Sequence, residues 1–527
     1  MQKKIKFAAM ATMIMMLVLS LTACGGGKDD SSKKGAAKDT LKFGVTNFAD
    51  NLEPTDNYFG WVLVRYGLGE CLVKFDEKMN ATPWLAESWK ISDDKTTWTF
   101  KIKDKAKFSN GNDVSAEAVK KSIERVFAKS NRAKTFFEYE NIKADGKILT
   151  IKTKIVCPGL PGMLADPLFL VIDSSVTDRD YAKQGPICTG PYMVKSFTKA
   201  KSVMVANPNY WDGAVPFKTV EIPSIDDPNT RAMALQSGEI DMAVNIAAGD
   251  MPLFSKKEKF NISEIASLRT VLARLNVAQG HILSDKRVRQ ALIACTDRDT
   301  YCKVLLKNTF IPGKAPIPPS LDYGFDQLQD STPYNIENAK KLLAEAGWKD
   351  TDGDGILDKD GKPLTLDFVY YSGRSELPLF AEATQADAKK VGINIKLKNV
   401  DYNVLDAMGQ HGDYDLLISN IITANTGDPE IYMNWYWKTN VDGNNPQNGA
   451  GYSNTDYDEL SRQLSQEFDV KKRRQIIIKM EQILMNDAAG LFFGYPKTNM
   501  VSSVAITGAE ILPADYYWLT KDIKPAK

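Results

Sequence analysis

The sequence predicts a multi-domain α/β protein, and three observations support this. Its 527 residues are more than one hydrophobic core serves, since chains beyond about 250–300 residues divide into domains. Hydrophobic residues make up 43% and charged residues 25% of the chain, which is typical of globular proteins. Segments with the period of a strand and segments with the period of a helix follow one another without strict alternation and without a repeat.

Alternation of apolar and polar residues predicts the strands, as at Leu41, Phe43 and Val45. The predicted strand segments are 39–45, 97–103, 148–155, 193–207, 364–371, 394–400 and 414–420. Apolar residues three and four apart predict a helix after Ser115, a capping residue. Three further helical segments are predicted at 285–306, 335–346 and 470–485. The first is a helix or a helix pair, and Gly347 ends the second.

The first 40 residues predict export and a lipid anchor. A start rich in lysine precedes an apolar run that is too short to span a bilayer, as in a secretory signal peptide. Residues 21–24, Leu-Thr-Ala-Cys, resemble the lipobox of bacterial lipoproteins. The resemblance implies that 1–23 are removed and that Cys24 is acylated. Residues 24–40 then form a flexible tether, which places the protein on the outer face of the cytoplasmic membrane.

Composition excludes several classes of function. The net charge is +1 and no basic run follows the leader, so we expect no nucleic-acid partner. Only two histidines are present, His281 and His411, so a multi-histidine metal site is excluded. No P-loop, dinucleotide fingerprint or hydrolase motif occurs. Chemistry based on carboxylates alone, such as that of a secreted hydrolase, stays open as an alternative.

Five cysteines follow Cys24, so at least one thiol stays free. Cys295 and Cys302 are seven residues apart in a helical pattern, which is too far for a disulfide. Cys157 and Cys188 either pair or remain buried thiols.

Several segments in a shared order resemble the extracellular solute-binding proteins, family 5, of peptide and nickel ABC importers. These segments are 81–89, 98–111, 189–192 (Thr-Gly-Pro-Tyr), 207–211 (Asn-Pro-Asn-Tyr-Trp), 232–241, 285–292 and 344–348. The resemblance implies a periplasmic-binding-protein-like α/β fold with two lobes, an additional third domain and a ligand cleft between the lobes. It also implies a monomer that captures a small solute and delivers it to an ABC permease, with no catalytic residue and no required cofactor.

The same resemblance implies the domain boundaries. Lobe I would be discontinuous, domain II would enlarge it, and lobe III would close on it. The expected segments are 41–80, 190–270 and 495–527 for lobe I, 81–189 for domain II and 271–494 for lobe III.

Five residues are candidates for the ligand site. Residues 57–67 are similar to the branch that binds metal–metallophore complexes, which implies Tyr58 and Trp61 as pocket residues; alternatively, both anchor a core helix. Arg132 lies near a pocket arginine of nickel-binding relatives. Asn425 stands where peptide-binding members carry the aspartate that pairs with the ligand's α-ammonium. Asp428 is either a ligand-binding residue or the cap of the next helix.

The ligand class follows from these departures from the family pattern. An asparagine supplies no charge to an ammonium, so Asn425 weakens the peptide reading. Nickel held by protein ligands alone is disfavoured, since no histidine lies near Asn440. We therefore favour a metal–metallophore complex, with an oligopeptide or dipeptide as the alternative.

Residues 350–358 match the first nine positions of a calcium loop. The ligands would be Asp350, Asp352, Asp354, the backbone carbonyl of Ile356, and Asp358. The twelfth position is Gly361 where a bidentate glutamate is usual. The alternative is a turn rich in Asp and Gly, and a bound calcium ion would be structural.

Overall fold

The computed structural model describes residues 39–46, 48–247 and 249–526. The predicted signal peptide, Cys24 and nearly all of the tether lie outside the described residues. Within the described part of the chain, no helix is long and apolar enough to cross a membrane.

The strands and helices are numbered in chain order. The strands are β1 (Thr40–Gly44), β2 (Val73–Phe75), β3 (Ala81–Pro83), β4 (Ala86–Ile91), β5 (Thr97–Ile102), β6 (Tyr139–Asp145), β7 (Ile148–Thr153), β8 (Tyr192–Phe197), β9 (Lys201–Ala206), β10 (Thr219–Pro223), β11 (Met242–Val244), β12 (Phe260–Ala266), β13 (Arg269–Leu275), β14 (Phe310–Pro312), β15 (Asp358–Lys359), β16 (Lys362–Pro363), β17 (Thr365–Tyr370), β18 (Asn394–Asn399), β19 (Leu416–Ile422), β20 (Gly490–Ser503), β21 (Ile506–Thr507) and β22 (Lys524–Pro525). The helices are α1 (Gly60–Arg65), α2 (Ala116–Lys129), α3 (Leu160–Met163), α4 (Tyr181–Gln184), α5 (Pro228–Ser237), α6 (Lys286–Ala294), α7 (Arg298–Thr300), α8 (Ile336–Glu345), α9 (Glu376–Lys389), α10 (Tyr402–His411), α11 (Glu430–Trp437), α12 (Thr455–Leu464) and α13 (Val470–Asn486).

One twelve-stranded sheet runs through most of the structure, in the order β18-β17-β19-β13-β20-β11-β1-β10-β9-β8, with β12 and β14 also paired to β20. The 14-residue strand β20 joins the two halves of this sheet, because it pairs with β13 in one half and with β11 in the other. The chain passes between the two halves a second time in the link from β12 to β13. This link lies beside β20, because the Ser267 N–H donates to the Pro496 carbonyl at 2.9 Å.

A separate four-stranded antiparallel sheet, β4-β5-β7-β6, forms from residues within the predicted domain II. Helix α2 packs on it through Val119, Ile123 and Val126, which are buried. Ser115 caps this helix as predicted, because its hydroxyl accepts a hydrogen bond from the Ala118 N–H at 3.1 Å. The domain boundaries themselves stay a prediction.

Two predicted segments each contain more than one element. Residues 193–207 form the hairpin β8–β9. Residues 285–306, predicted as a helix or a helix pair, are divided: α6 ends at Ala294, and Asp297 starts a new turn by accepting a hydrogen bond from the Thr300 N–H. A π-helical turn, Tyr301–Leu305, follows. All five cysteines in the described residues are buried free thiols, so Cys157 and Cys188 are not paired.

The buried carboxylate of Glu70 connects the first strands with one of the segments that carry the family resemblance. Glu70 is 1% exposed. Its two oxygens accept hydrogen bonds from the Trp211 Nε1–H at 2.7 Å and the Tyr210 hydroxyl at 3.1 Å. In the same region, the Asn207 side-chain amide donates to the Gly190 carbonyl at 2.8 Å. The Asn-Pro-Asn-Tyr-Trp and Thr-Gly-Pro-Tyr segments therefore brace the fold.

The burial of Glu70 makes the stability of the fold sensitive to pH. Burial raises the pKa of Glu70 from 4.5 to about 7, although its hydrogen-bond donors lower it. The folded state therefore binds a proton more tightly than the unfolded state does. The contribution of this raised pKa to the free energy of unfolding is at its maximum below about pH 4.5. It is lost as the pH rises through 7.

We predict that Glu70→Gln flattens the pH dependence of stability. Between pH 5 and pH 8, the wild-type free energy of unfolding should fall by up to about 3 kcal/mol more than that of the variant. Thermal or urea unfolding at several pH values measures this difference. Glu87→Gln, at a surface ion pair with Lys101, is the control and should follow the wild type. Parallel pH profiles for the wild type and Glu70→Gln would contradict the prediction.

Candidate functional site

Five aromatic side chains line one wall of the candidate site, and we call them the aromatic wall: Phe48, Tyr58, Trp61, Tyr516 and Trp518. The Trp61 ring lies 5.2 Å from Tyr58 and 5.4 Å from Tyr516, between ring centroids. Phe48 stacks on Trp61 at 6.1 Å. Tyr58 is 47% exposed and Trp61 is 5% exposed, so Trp61 is also a core anchor.

Helix α1 is held close to the segment that carries Asp166 and Pro167. A Cβ at Gly60 would lie 2.5 Å from the Pro167 carbonyl oxygen, so only glycine fits at this contact. This approach brings the start of α1 near Arg132. The Arg132 guanidinium lies 4.3 Å from the Tyr58 ring centroid.

Two arginines on this wall are close to carboxylates. Arg65 donates to both carboxylate oxygens of Asp515, at 2.8 and 2.9 Å, and lies 4.3 Å from the Trp518 ring centroid. Arg132 lies 4.0 Å from the buried carboxylate of Asp166. These two cations are therefore at least partly balanced within the protein.

Two further arginines carry positive charge without a paired carboxylate. Arg269, the first residue of β13, donates to the Asn420 carbonyl at 3.3 Å. Neither Arg269 nor Arg374 forms an ion pair with any residue that the structure describes. Burial, together with the guanidiniums of Arg374 and Arg65, lowers the pKa of Arg269 to about 10, although Asp515 raises it. Arg269 therefore stays charged at neutral pH. The Asn420 side chain joins it to the Glu376 carboxylate, because the Asn420 amide oxygen accepts from Arg269 at 3.4 Å and its amide donates to Glu376 at 2.7 Å.

Four buried polar atoms on this side of the protein have no hydrogen-bond partner among the described residues. They are Trp61 Nε1, Arg132 Nε, Tyr516 Oη and Trp518 Nε1. Three of these atoms are N–H groups, which can only donate, and the fourth is a hydroxyl. Buried donors without partners are costly. An acceptor-rich group such as a carboxylate would satisfy them, and the guanidiniums of Arg269 and Arg374 also favour an anion.

Residues of the other half of the molecule face this wall. Tyr402 is 60% exposed; partial burial and the nearby Tyr58 both raise its pKa. Tyr402 packs edge-on against Tyr371 at 5.3 Å. Asn425, in the loop after β19, donates its side-chain amide to Asp166 at 3.4 Å.

Asp428 is engaged within the protein. One oxygen accepts a hydrogen bond from the Glu430 N–H at the start of α11, at 2.9 Å. The other pairs with Arg473 at 2.8 Å, and Arg473 also pairs with Glu430. The structure begins α11 at Glu430 with Pro429 in the N-cap position and no side-chain cap, so Asp428 contacts the start of the helix from one residue before the cap. A ligand-binding role for Asp428 stays a prediction.

The predicted calcium loop is exposed, and part of it converges. Oxygens of Asp350, Asp352 and Asp358 all lie within 4.8 Å of one another. Asp350 already accepts hydrogen bonds from the Gly353 and Gly355 N–H groups. Asp354 is not in the converging group, so the donor set fits a cation only in part.

The structure brings together four of the five predicted pocket residues. Tyr58, Trp61 and Arg132 lie on one wall. Asn425 is connected to Arg132 by Asp166, which contacts both side chains. Sequence reasoning missed seven residues that the structure adds: Phe48, Arg65, Asp166, Arg269, Arg374, Tyr516 and Trp518. The aromatic run 515–518 was the one available signal, since three consecutive aromatics follow an acidic residue. The part that each residue plays in binding stays a prediction.

The chain is similar in sequence to a known family and to several characterised binding proteins. Residues 80–444 match the family described as bacterial extracellular solute-binding proteins, family 5 Middle. The nickel-binding protein NikA of Staphylococcus aureus is 27% identical over 513 residues, which cover 97% of this chain and 98% of NikA. The probable D,D-dipeptide-binding periplasmic protein DdpA of Escherichia coli is 30% identical over 420 residues, covering 77% and 78% of the two chains.

Among solved structures, Staphylococcus aureus NikA in complex with Ni(L-His)2 superimposes with a TM-score of 0.73 at 25% identity. The match covers 93% of this chain and 100% of that one. The expected two-lobed binding-protein fold is thereby confirmed. The chain belongs to the bacterial extracellular solute-binding proteins of family 5.

Proposed function

We propose that this protein captures a carboxylate-bearing metal chelate between its two lobes and delivers it to the permease of an ABC importer. The observation that carries the proposal is the combination of unpaired arginines with unpartnered buried donors around the aromatic wall. Carboxylates of a chelator would accept from these donors. The chelator would supply the ligands of the metal, so the protein needs no histidine site of its own.

A peptide is the second candidate, and the site supports it less well. A peptide's C-terminal carboxylate would suit Arg269, but its α-ammonium needs an acceptor or an anion. Asn425 is neutral, and Asp166 is 0% exposed and already close to Arg132. The two relatives are named for one candidate ligand class each: NikA is named for nickel and DdpA for D,D-dipeptides.

Transport by this protein would depend on closure of the lobes rather than on catalysis. The two adjacent crossings between the halves of the large sheet, at Ser267 and Pro496, suit hinge bending. Both relatives named above are binding proteins, which supports binding over the hydrolase alternative.

We predict that Arg269→Ala weakens binding of Ni(L-His)2 by about 10- to 100-fold, because a charged hydrogen bond is worth about 1.5–3 kcal/mol. Calorimetric titration of purified protein measures the affinity. Arg287→Ala is the matched control, since Arg287 pairs with Asp285 at the protein surface, and it should bind as the wild type does. Unchanged affinity in Arg269→Ala, or tighter wild-type binding of a peptide mixture, would count against the chelate.

The proposed location depends on Cys24. Acylation there would keep the protein near its permease, and the tether would leave the lobes free to move. We expect Cys24→Ser to move the protein from the membrane fraction into the medium or periplasm without changing its affinity for ligand. Retention in the membrane fraction would argue against the anchor.

Calcium binding at 350–361 stays a prediction. If the loop binds calcium, the melting temperature should rise with CaCl2 concentration relative to EDTA, and Asp352→Asn should abolish the rise. Asp93→Asn, in an exposed turn between β4 and β5, is the control. Equal melting temperatures in CaCl2 and EDTA would favour the turn alternative.

A further inference from the structure

A cavity of about 220 Å³ lies behind the aromatic wall. Tyr516 and Trp518 belong to the wall itself, where Tyr516 contacts Trp61 and Trp518 contacts an arginine. The residues that alternate with them along the chain, Tyr517 and Leu519, line the cavity instead. The cavity and the cleft are therefore separate sites, and one short segment of the chain contributes to both.

Two contacts fix the shape of this cavity. The Phe75 N–H donates to the Tyr517 hydroxyl at 3.0 Å, which holds the Tyr517 ring in the wall of the cavity. A Cβ at Gly67 would lie 2.5 Å from the Leu519 carbonyl oxygen, so these two segments meet backbone to backbone. Pockets for drug-sized ligands have about 300–1,000 Å³, so a preformed space of this size suits a smaller molecule.

The walls of the cavity are rich in aromatic rings, since Phe75, Trp84, Tyr210 and Tyr517 all line it. Trp84 packs edge-on against Tyr517, with 5.5 Å between the ring centroids. Trp84 is only half-buried, so part of its ring is open to a ligand. Aromatic rings pack well against a further ring in offset or edge-on arrangements. The cavity therefore favours a ligand with a flat apolar group.

Lys74 brings a positive charge to the cavity that the protein does not neutralise. Its ammonium forms no ion pair with any residue that the structure describes. Lys103 lies near it: burial and the ammonium groups of Lys105 and Lys74 lower the pKa of Lys103, although Asp212 raises it. Neighbouring cations repel one another, so an anionic group at this end of the cavity would be stabilising. A carboxylate is a simple group that fits.

Glu510 brings the opposite charge to the same cavity. It is exposed and has no cationic partner within the described part of the chain. The other acidic side chains of the lining are engaged. Asp212 and Asp522 lie 3.6 and 3.9 Å from the Lys521 ammonium, and the Glu70 carboxylate already accepts two hydrogen bonds. Glu510 is therefore the anion that remains for a ligand.

We propose that this cavity is a second binding site, for a free amino acid with an aromatic side chain. The carboxylate of the ligand pairs with Lys74, its ammonium pairs with Glu510, and its ring packs on Trp84. A molecule with only one of the two charges leaves either Lys74 or Glu510 without a partner. The site is independent of what the cleft holds.

The test uses L-phenylalanine and two analogues that each lack one charge. Phenethylamine has no carboxylate, and 3-phenylpropionate has no ammonium. Calorimetric titration of the purified protein measures the three affinities. Each analogue should bind about three- to fivefold more weakly than phenylalanine, because each loses one partly exposed charge pair. No binding of phenylalanine, or equal affinity for all three molecules, would overturn the proposal.

Two variants assign the charges. Lys74→Met should weaken the binding of phenylalanine by the same factor without weakening that of phenethylamine, which has no carboxylate to lose. Glu510→Gln should weaken the binding of phenylalanine without weakening that of 3-phenylpropionate. Lys78→Met and Glu77→Gln, at exposed positions just after β2, are the matched controls and should bind as the wild type does. Variants at 74 and 510 that bind phenylalanine as tightly as these controls would contradict the assignment.

A last comparison distinguishes this cavity from the cleft. Phenylalanine should bind Arg269→Ala, the variant of the cleft, as tightly as it binds the wild type. Loss of phenylalanine binding in Arg269→Ala, together with its retention in Lys74→Met, would place the amino acid in the cleft and overturn the second site. A wild type that does not bind Ni(L-His)2 would remove the proposed chelate and leave these results unchanged.

Discussion

The pairing of strand β20 with both halves of the large sheet is the constraint on which the cleft depends. Because β20 bonds to β13 on one side and to β11 on the other, the halves cannot separate as free domains. The chain crosses between the halves at Ser267 and Pro496, which are hydrogen-bonded to each other. In the proposed function, bending at this one place would return the same residues to the same positions each time the cleft closes.

Charge is the second constraint, and it sets what the cleft accepts. The walls bring several guanidiniums together, and two of them, Arg65 and Arg132, are close to carboxylates of the protein. Arg269 keeps its charge in a half-buried position near Arg374. In the proposed function, a ligand that brings carboxylates would lower the free energy of this arrangement, whereas a ligand that brings an ammonium would not. Affinity and selectivity would then have the same electrostatic origin.

Local patterns in the sequence predict the elements well and the site in part. Ser115 caps its helix and 335–346 forms α8 almost as predicted, because capping and periodicity act within a few residues. Tyr58 and Arg132 were found through resemblance, and the structure brings them into contact. Arg269 and Asp166 carry no local signal: one begins an ordinary strand and the other precedes a proline. Their importance arises only from tertiary packing, which joins positions more than a hundred residues apart.

The central claim is that the cleft holds a metal bound by a carboxylate-bearing chelator. The most direct test is native mass spectrometry of the protein purified from its own host without refolding, followed by identification of the released small molecule. The account predicts one chelate of nickel, cobalt or zinc, with a mass shift that disappears when the protein is unfolded. A distribution of peptides in the cleft would contradict it.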